Sequence, residues 1–412
     1  YLSVQYIDSR EQSHDWLGMR AIIDQHPDWL QVLGGDEYRQ SFAFDFRNPE
    51  VRAYWSAVME DFFVKYAVDG IKVDGIGNAE GAIVSGDKLD SFGLVDDVNQ
   101  QTMTIYEFFH REATRRRTDA YLETGWLSPT FARPYVHTFR YGDEAPVFSS
   151  PYPFPGLVQH VDYAIIQKQI LRQRPNMGAI YDDPSQSVVN RWWLEAGLAL
   201  GTHVTIGFDL TSLTQEALSD YRSLLTHYDP FTGTTTFGRG LRPQTFATRR
   251  GGVTYMGVLN RGQNQIDVRV PLSEHGLRLQ PGEDRRQAPT AYDVDGGQFL
   301  RLTTPFTVTM PAQSFRLFIV RTEPGVLWTN SSFVAQDDGS AISVTLKGPA
   351  QLPGYAYLAT PSPSRVTLDE AVLSLQGDRP PEGPFYGYDA RTGVLTVRYG
   401  NESAGHVLRV EY

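Results

Sequence analysis

Cysteine is absent from all 412 residues. That excludes disulfide frameworks, thiolate zinc sites and thiol nucleophiles together, and it leaves the redox compartment undecided. Lysine is scarce: five stand against thirty-two arginines. Cations as a class are outnumbered, with 37 Lys and Arg against 48 Asp and Glu for a net charge of −11. A phosphate backbone is bound chiefly through Lys and Arg, so nucleic acid is not an expected partner. No run approaches the roughly 18 apolar residues that span a bilayer, and the first 30 residues lack the basic-then-apolar order of a signal peptide. A membrane is not expected either. The nine histidines include no His-Glu-x-x-His spacing, and no Gly-x-Ser-x-Gly elbow occurs, so neither a catalytic metal nor a serine hydrolase is indicated.

What remains is an ordinary globular composition, 41% hydrophobic and 12% aromatic, long enough for two to three domains. Over 1–228, short apolar strands alternate with amphipathic helices, the pattern of βα units on a parallel sheet. From there the chain turns to short alternating runs such as 253–259 and 315–320, which read as antiparallel β structure. A break at Glu323-Pro324-Gly325 separates two β-modules, 229–323 and 324–412, each of sandwich size. Helices are expected over 48–67, 99–116, 157–172, 188–200 and 215–227. Asn48 can cap the first, Pro49 suits its first position, and Val51, Tyr54, Trp55, Val58 and Phe62 share one face. Strands are expected over 2–7, 71–74, 121–123, 136–140, 178–180 and 204–206. Six is two short of a (β/α)8 barrel. The predicted fold class is α/β, followed by two antiparallel β-sandwich-like domains; if the α/β part is a TIM barrel, its first two βα units are absent from this chain. The missing barrel segment is expected from another fragment or chain, in keeping with a sequence that starts at Tyr1.

Lys72 lies inside an apolar strand, and period-two geometry sets it on the same side as Asp74, opposite Ile71 and Val73. Inside a barrel that side is the interior, and the C-terminal strand end carries catalytic groups. A buried structural ion pair is the alternative reading. A second constellation, Thr138-Phe139-Arg140-Tyr141-Gly142-Asp143-Glu144, ends a strand in Arg and follows it with two acids. By itself that is a solvated acidic loop; combined with Asp74 it supplies the second carboxylate that glycoside hydrolysis needs. Trp126 follows the Glu123 strand and can floor a sugar site, as an alternative to core packing. Trp192 and Trp193 read as core. His137 and His203 read as core or rim residues, and the Gly75-x-Gly77 pattern is a weak phosphate-loop signal. Asn330-Ser331-Ser332 and Asn401-Glu402-Ser403 match the glycosylation triplet at a frequency expected by chance.

The segments His26-Pro27-Asp28-Trp29-Leu30, Asp45-Phe46-Arg47-Asn48-Pro49-Glu50 and Asp69-Gly70-Ile71-Lys72-Val73-Asp74 resemble, in order and spacing, the melibiase group of glycoside hydrolases: the α-galactosidases of family 36 and their relatives. Phe139-Arg140-Tyr141-Gly142-Asp143 is similar to that group's acid/base loop, Gly207-Phe208-Asp209-Leu210 to its last barrel strand, and Tyr292-Asp293-Val294-Asp295 with Met310-Pro311-Ala312 to its C-terminal β-domain. The likeness covers roughly 20–322. It implies a retaining exo-α-glycosidase without a cofactor. Asp74 matches the nucleophile, Asp143 the general acid/base, and Lys72 and Arg140 residues that contact the sugar. Asp8 ends the first strand where relatives place an acid. The chain departs from the group in two ways. The paired aspartates that read galactose hydroxyls have no counterpart, and Glu123-Thr124-Gly125-Trp126 replaces a Cys-Gly, which makes Glu123 and Trp126 candidates for a different sub-pocket around the sugar 2-position. An α-glucosidase, an α-galactosyl transferase and a non-catalytic carbohydrate-binding protein on the same fold are the alternatives. Sugar, linkage, oligomeric state and compartment stay open.

Overall fold

The computed structural model describes residues 2–3, 25–35, 40–74, 95–124, 134–140, 153–171, 175–180, 188–206, 214–229, 232–277, 288–302, 305–350, 352–376, 383–402 and 404–412. The chain divides into two compact units, one of residues 1–143 and 166–178, the other of 144–165 and 179–412. Among the described residues no helix is long and apolar enough to cross a membrane.

The first unit is built on parallel strands. Leu2–Ser3, Gly70–Asp74, Tyr121–Thr124, Thr138–Arg140 and the first residues of Pro175–Ile180 pair in chain order. Helix Pro49–Glu60 starts where the sequence places it: the Asn48 side chain accepts from Glu50 N at 2.9 Å, and Pro49 needs no donor. Its buried Val51, Trp55 and Met59 face the core, and a π-turn at Asp61–Lys65 ends it. Helix Val95–Arg116 adds Tyr106, Phe108, Phe109 and Ala113. These side chains enclose Ile71, Val73 and Leu122 of the strands in one core. Gly70 is required by close approach, because a Cβ there would lie 2.4 Å from the Tyr121 carbonyl oxygen. A hairpin that sequence reading does not anticipate, Leu30–Gly35 with Gln40–Phe44, precedes the first helix, and Trp29 Nε1 ties it down by donating to Glu50 at 3.1 Å.

The second unit carries helices Pro153–Ile166, Val188–Leu200 and Gln215–Thr226, strand His203–Ile206, and the antiparallel β structure. All six strands expected of the α/β part are thus present, the first of them described over Leu2–Ser3. The β-rich part opens with a six-stranded sheet, in the order Gln298–Arg301, Thr290–Asp293, Ser314–Arg321, Val253–Asn260, Thr245–Arg250, Thr234–Phe237. Helix Val188–Leu200 packs on it, fixed by the Thr248 hydroxyl on the Ala199 carbonyl at 3.0 Å and the Thr235 hydroxyl on that of Leu200 at 3.1 Å. Trp193 is buried against His160 and Trp192 donates to Asp295, so both tryptophans serve packing. From Gly325 onward two five-stranded sheets share a core of Ile342, Val344, Leu358, Leu395 and Leu408, which makes a sandwich. Its 385–400 hairpin turns at residues 390–393. Asn330 is 4% exposed, with its amide donating to the Pro353 carbonyl at 2.8 Å and accepting from Tyr355 N at 3.0 Å.

Candidate active site

Parallel pairing sets Lys72 opposite Glu123 and Glu123 opposite Thr138, so three polar residues stand abreast on three adjacent strands of the first unit. Their neighbours along the strands, Ile71, Val73 and Leu122, belong to the helix-covered core. One face of the sheet is therefore apolar and closed. The other carries a polar row, with Lys72 half-buried, Glu123 6% exposed and Thr138 1% exposed. An acid this deep in a sheet needs partners. Tyr121 supplies one: its hydroxyl lies 2.5 Å from Thr138 Oγ1 and donates to Glu123 Oε2 at 3.4 Å. His137 stacks on the Tyr121 ring at 5.6 Å and accepts from Leu122 N at 3.1 Å, which holds the tyrosine from behind. His137 is thus the rim residue expected from the sequence.

Asp74 is the last residue of its strand, two positions beyond Lys72; Arg140 ends Thr138–Arg140, two beyond Thr138, in register with Asn176. The backbone brings both positions to the C-terminal end of one sheet with a single strand between them, about 10 Å apart by strand spacing. Lys72, Asp74, Glu123 and Arg140 are in this way collected on adjacent strands. Asp143, Trp126 and Asp8 lie outside the described residues, as do the Gly75-x-Gly77 pattern and the Gly207-Phe208-Asp209-Leu210 segment. Sequence reasoning did not single out Tyr121. The available signal was its parity with Glu123 at one end of the same strand. No group of His, Asp and Glu among the described residues is arranged to hold a metal ion.

No family model matches the chain, and no curated protein does. Solved structures do. A family 27 β-L-arabinopyranosidase from Geobacillus stearothermophilus superposes with a TM-score of 0.51 at 12% identity, over 73% of this chain and 71% of that one. The chain shares that glycoside hydrolase's fold. An α-galactosidase I from Mortierella vinacea is a more distant likeness, with a TM-score of 0.44 at 12% identity over 65% of this chain and 71% of that one. A family 31 dextranase from Flavobacterium johnsoniae gives 0.44 at 11% identity over all of this chain and 61% of that one. An α/β region followed by C-terminal β-domains is the organisation of these barrel glycosidases. The polar row crosses the bodies of the parallel strands, and Asp74 and Arg140 mark the C-terminal ends of two of them.

Proposed function

We propose that the chain forms part of a retaining exo-α-glycosidase of the melibiase kind, close to the family 36 α-galactosidases in specificity. The observation that carries this reading is the row Lys72–Glu123–Thr138, with Asp74 two residues past Lys72 and Arg140 two past Thr138 at the same sheet end. A shared fold with a glycosidase supports it. Asp74 attacks the anomeric carbon while Asp143 protonates the departing glycosidic oxygen, giving a glycosyl-aspartate and a free alcohol. Asp143 then takes a proton from water as the water displaces Asp74, releasing the sugar with its configuration retained. Lys72 keeps Asp74 ionised and binds sugar hydroxyls with Arg140, Glu123 and Asp8, and Trp126 floors the site by stacking. No cofactor takes part. The barrel spans 1–228, with β-domains over 229–323 and 324–412, and its two further βα units come from another fragment or chain. A closed, active barrel formed by this chain alone would refute that last point.

The test is hydrolysis of aryl α-galactoside and α-glucoside by the full gene product. Asp74→Asn should lower turnover by about a thousandfold or more. A fluoro-sugar that traps the covalent intermediate should label Asp74 by mass spectrometry. Turnover that survives Asp74→Asn, or a label on another residue, overturns the assignment.

A further inference from the structure

Beneath the carboxylates of the proposed site runs a chain of hydroxyls. Tyr121 has a single side-chain proton to give. Its hydroxyl donates to Glu123 Oε2 at 3.4 Å, so at its 2.5 Å contact with Thr138 Oγ1 the threonine donates and the phenol oxygen accepts. The order is Thr138 to Tyr121 to Glu123. Each bond polarises the next, and the chain ends on an acid that, once ionised, can only accept. Thr138 is 1% exposed and Glu123 6% exposed, so little water reaches either end. The tyrosine is held in turn. Its ring stacks on that of His137 at 5.6 Å, His137 Nδ1 accepts from Leu122 N at 3.1 Å, and His137 N donates to the Leu122 carbonyl at 2.8 Å. Both bonds run to the residue between Tyr121 and Glu123, which fixes the imidazole to the strand that carries the pair.

Direction matters as well. Tyr121 opens the strand Tyr121–Thr124, and Glu123 stands two residues nearer its C-terminal end on the same face. The tyrosine therefore braces the carboxylate from the N-terminal side, while Asp74 and Arg140 end their strands on the other. A glutamate has three side-chain torsions, and a hydroxyl bonded to one of its oxygens selects among their rotamers. We propose, resting on the glycosidase reading above, that Tyr121 is a positioning residue for substrate recognition: backed by Thr138, its hydroxyl fixes the Glu123 carboxylate to accept from one particular hydroxyl of the sugar. Tyr121 itself does not meet the sugar. Discrimination for that hydroxyl is then set by how firmly the acceptor is aimed, because a site built to bond a substrate hydroxyl turns away the analogue that lacks it.

The test is kcat/KM of the full gene product on an aryl glycoside it hydrolyses and on the monodeoxy analogues of that glycoside, each lacking one sugar hydroxyl. Tyr121→Phe keeps the ring on His137 and removes only the oxygen. It should lower kcat/KM about tenfold on the parent and on every analogue except one. On that one, which lacks the hydroxyl Glu123 holds, wild type and variant should agree within about twofold. Glu123→Gln should single out the same analogue. Thr138→Val should repeat the pattern with a smaller loss, and Thr138→Ser, which returns a hydroxyl, should restore wild-type values. A purely structural role for Tyr121 gives a penalty of equal size on the parent and all analogues. That result, or no penalty at all, or a different analogue singled out by Glu123→Gln, overturns the inference and leaves the glycosidase reading standing. A wild-type gene product that turns over no glycoside overturns both.

Discussion

Glu195 is fully buried on the helix that packs against the six-stranded sheet. Its Oε1 accepts from Arg191 Nε at 2.7 Å, while its Oε2 is buried with no hydrogen-bond partner. The surroundings are acidic. Asp295 accepts from Trp192 Nε1 at 3.2 Å and from Leu317 N at 3.4 Å, and Asp293 accepts from Gly296 N at 3.0 Å and faces Arg316 at 3.4 Å. Burial, and after it the charge of Asp295, raise the Glu195 carboxyl well above its usual range, against the pull of Arg191. Asp295 is raised as well, again by burial first. The folded chain therefore holds a proton on Glu195 over a range in which the unfolded chain has lost it. Stability is full below the unfolded pKa and drains away as pH rises towards the folded one. A one-proton difference corresponds to about 1.4 kcal/mol per pH unit over that range. For a unit of this size that is a fall in Tm of roughly 3–6 °C per pH unit. Glu195→Gln keeps an oxygen for Arg191 and cannot ionise. Urea denaturation of both proteins from pH 5 to pH 8 should show similar stabilities at the acid end and a shallower decline for Glu195→Gln. Parallel pH dependences for the two proteins would refute the reasoning.

Other perturbations follow from packing and pairing. Trp193→Ala removes a fully buried side chain whose ring lies tilted against His160 and should cost about 3–5 kcal/mol by urea titration. Gly257→Val adds bulk where even a Cβ would meet Phe246 at 2.5 Å and Phe315 at 2.9 Å, and should destabilise by about 1–3 kcal/mol or more in the same assay. Burial acts to raise Glu112, but hydrogen bonds from Ser56 and Arg116 and the charges of Arg115 and Arg116 outweigh it and hold the carboxyl below its usual range. Its contribution is present at neutral pH and is lost as pH falls through the folded value. Glu112→Gln should therefore cost about 1–3 kcal/mol at pH 7 and progressively less in acid, read from melts of the two proteins side by side.

Much of the architecture was legible because local signals agreed. The Asn48-Pro49 start and the helix over 188–200 stand where capping and periodicity place them. Pro175–Ile180 begins three residues before the expected strand, since an apolar count ignores the Pro and Asn that open it. The Leu30–Gly35 hairpin was missed because Gly34-Gly35 reads as punctuation between runs too short to score. Cross-strand register is a different matter. That Lys72 stands opposite Glu123 depends on how the intervening helix returns the chain, and nothing within either strand encodes it. Glu195 was equally hidden. An acid on a helix is expected to face solvent, yet every residue from 193 to 200 is buried, so amphipathic logic has no polar side to assign it.

The way Asn330 is enclosed bears on how the protein is made. Both ends of its carboxamide are bonded to the strand Pro353–Ala359, deep at the edge of the terminal sandwich. In a production host that attaches glycans during translocation, modification there would reach the chain before the sandwich closes, and a sugar on that nitrogen would keep Asn330 from its place. Bacterial cytoplasmic expression avoids this competition. In a secretory host Ser332→Ala, which breaks the triplet at an exposed position and leaves the Asn330 amide in place, separates loss of yield through misfolding from any effect of the modification on the finished protein.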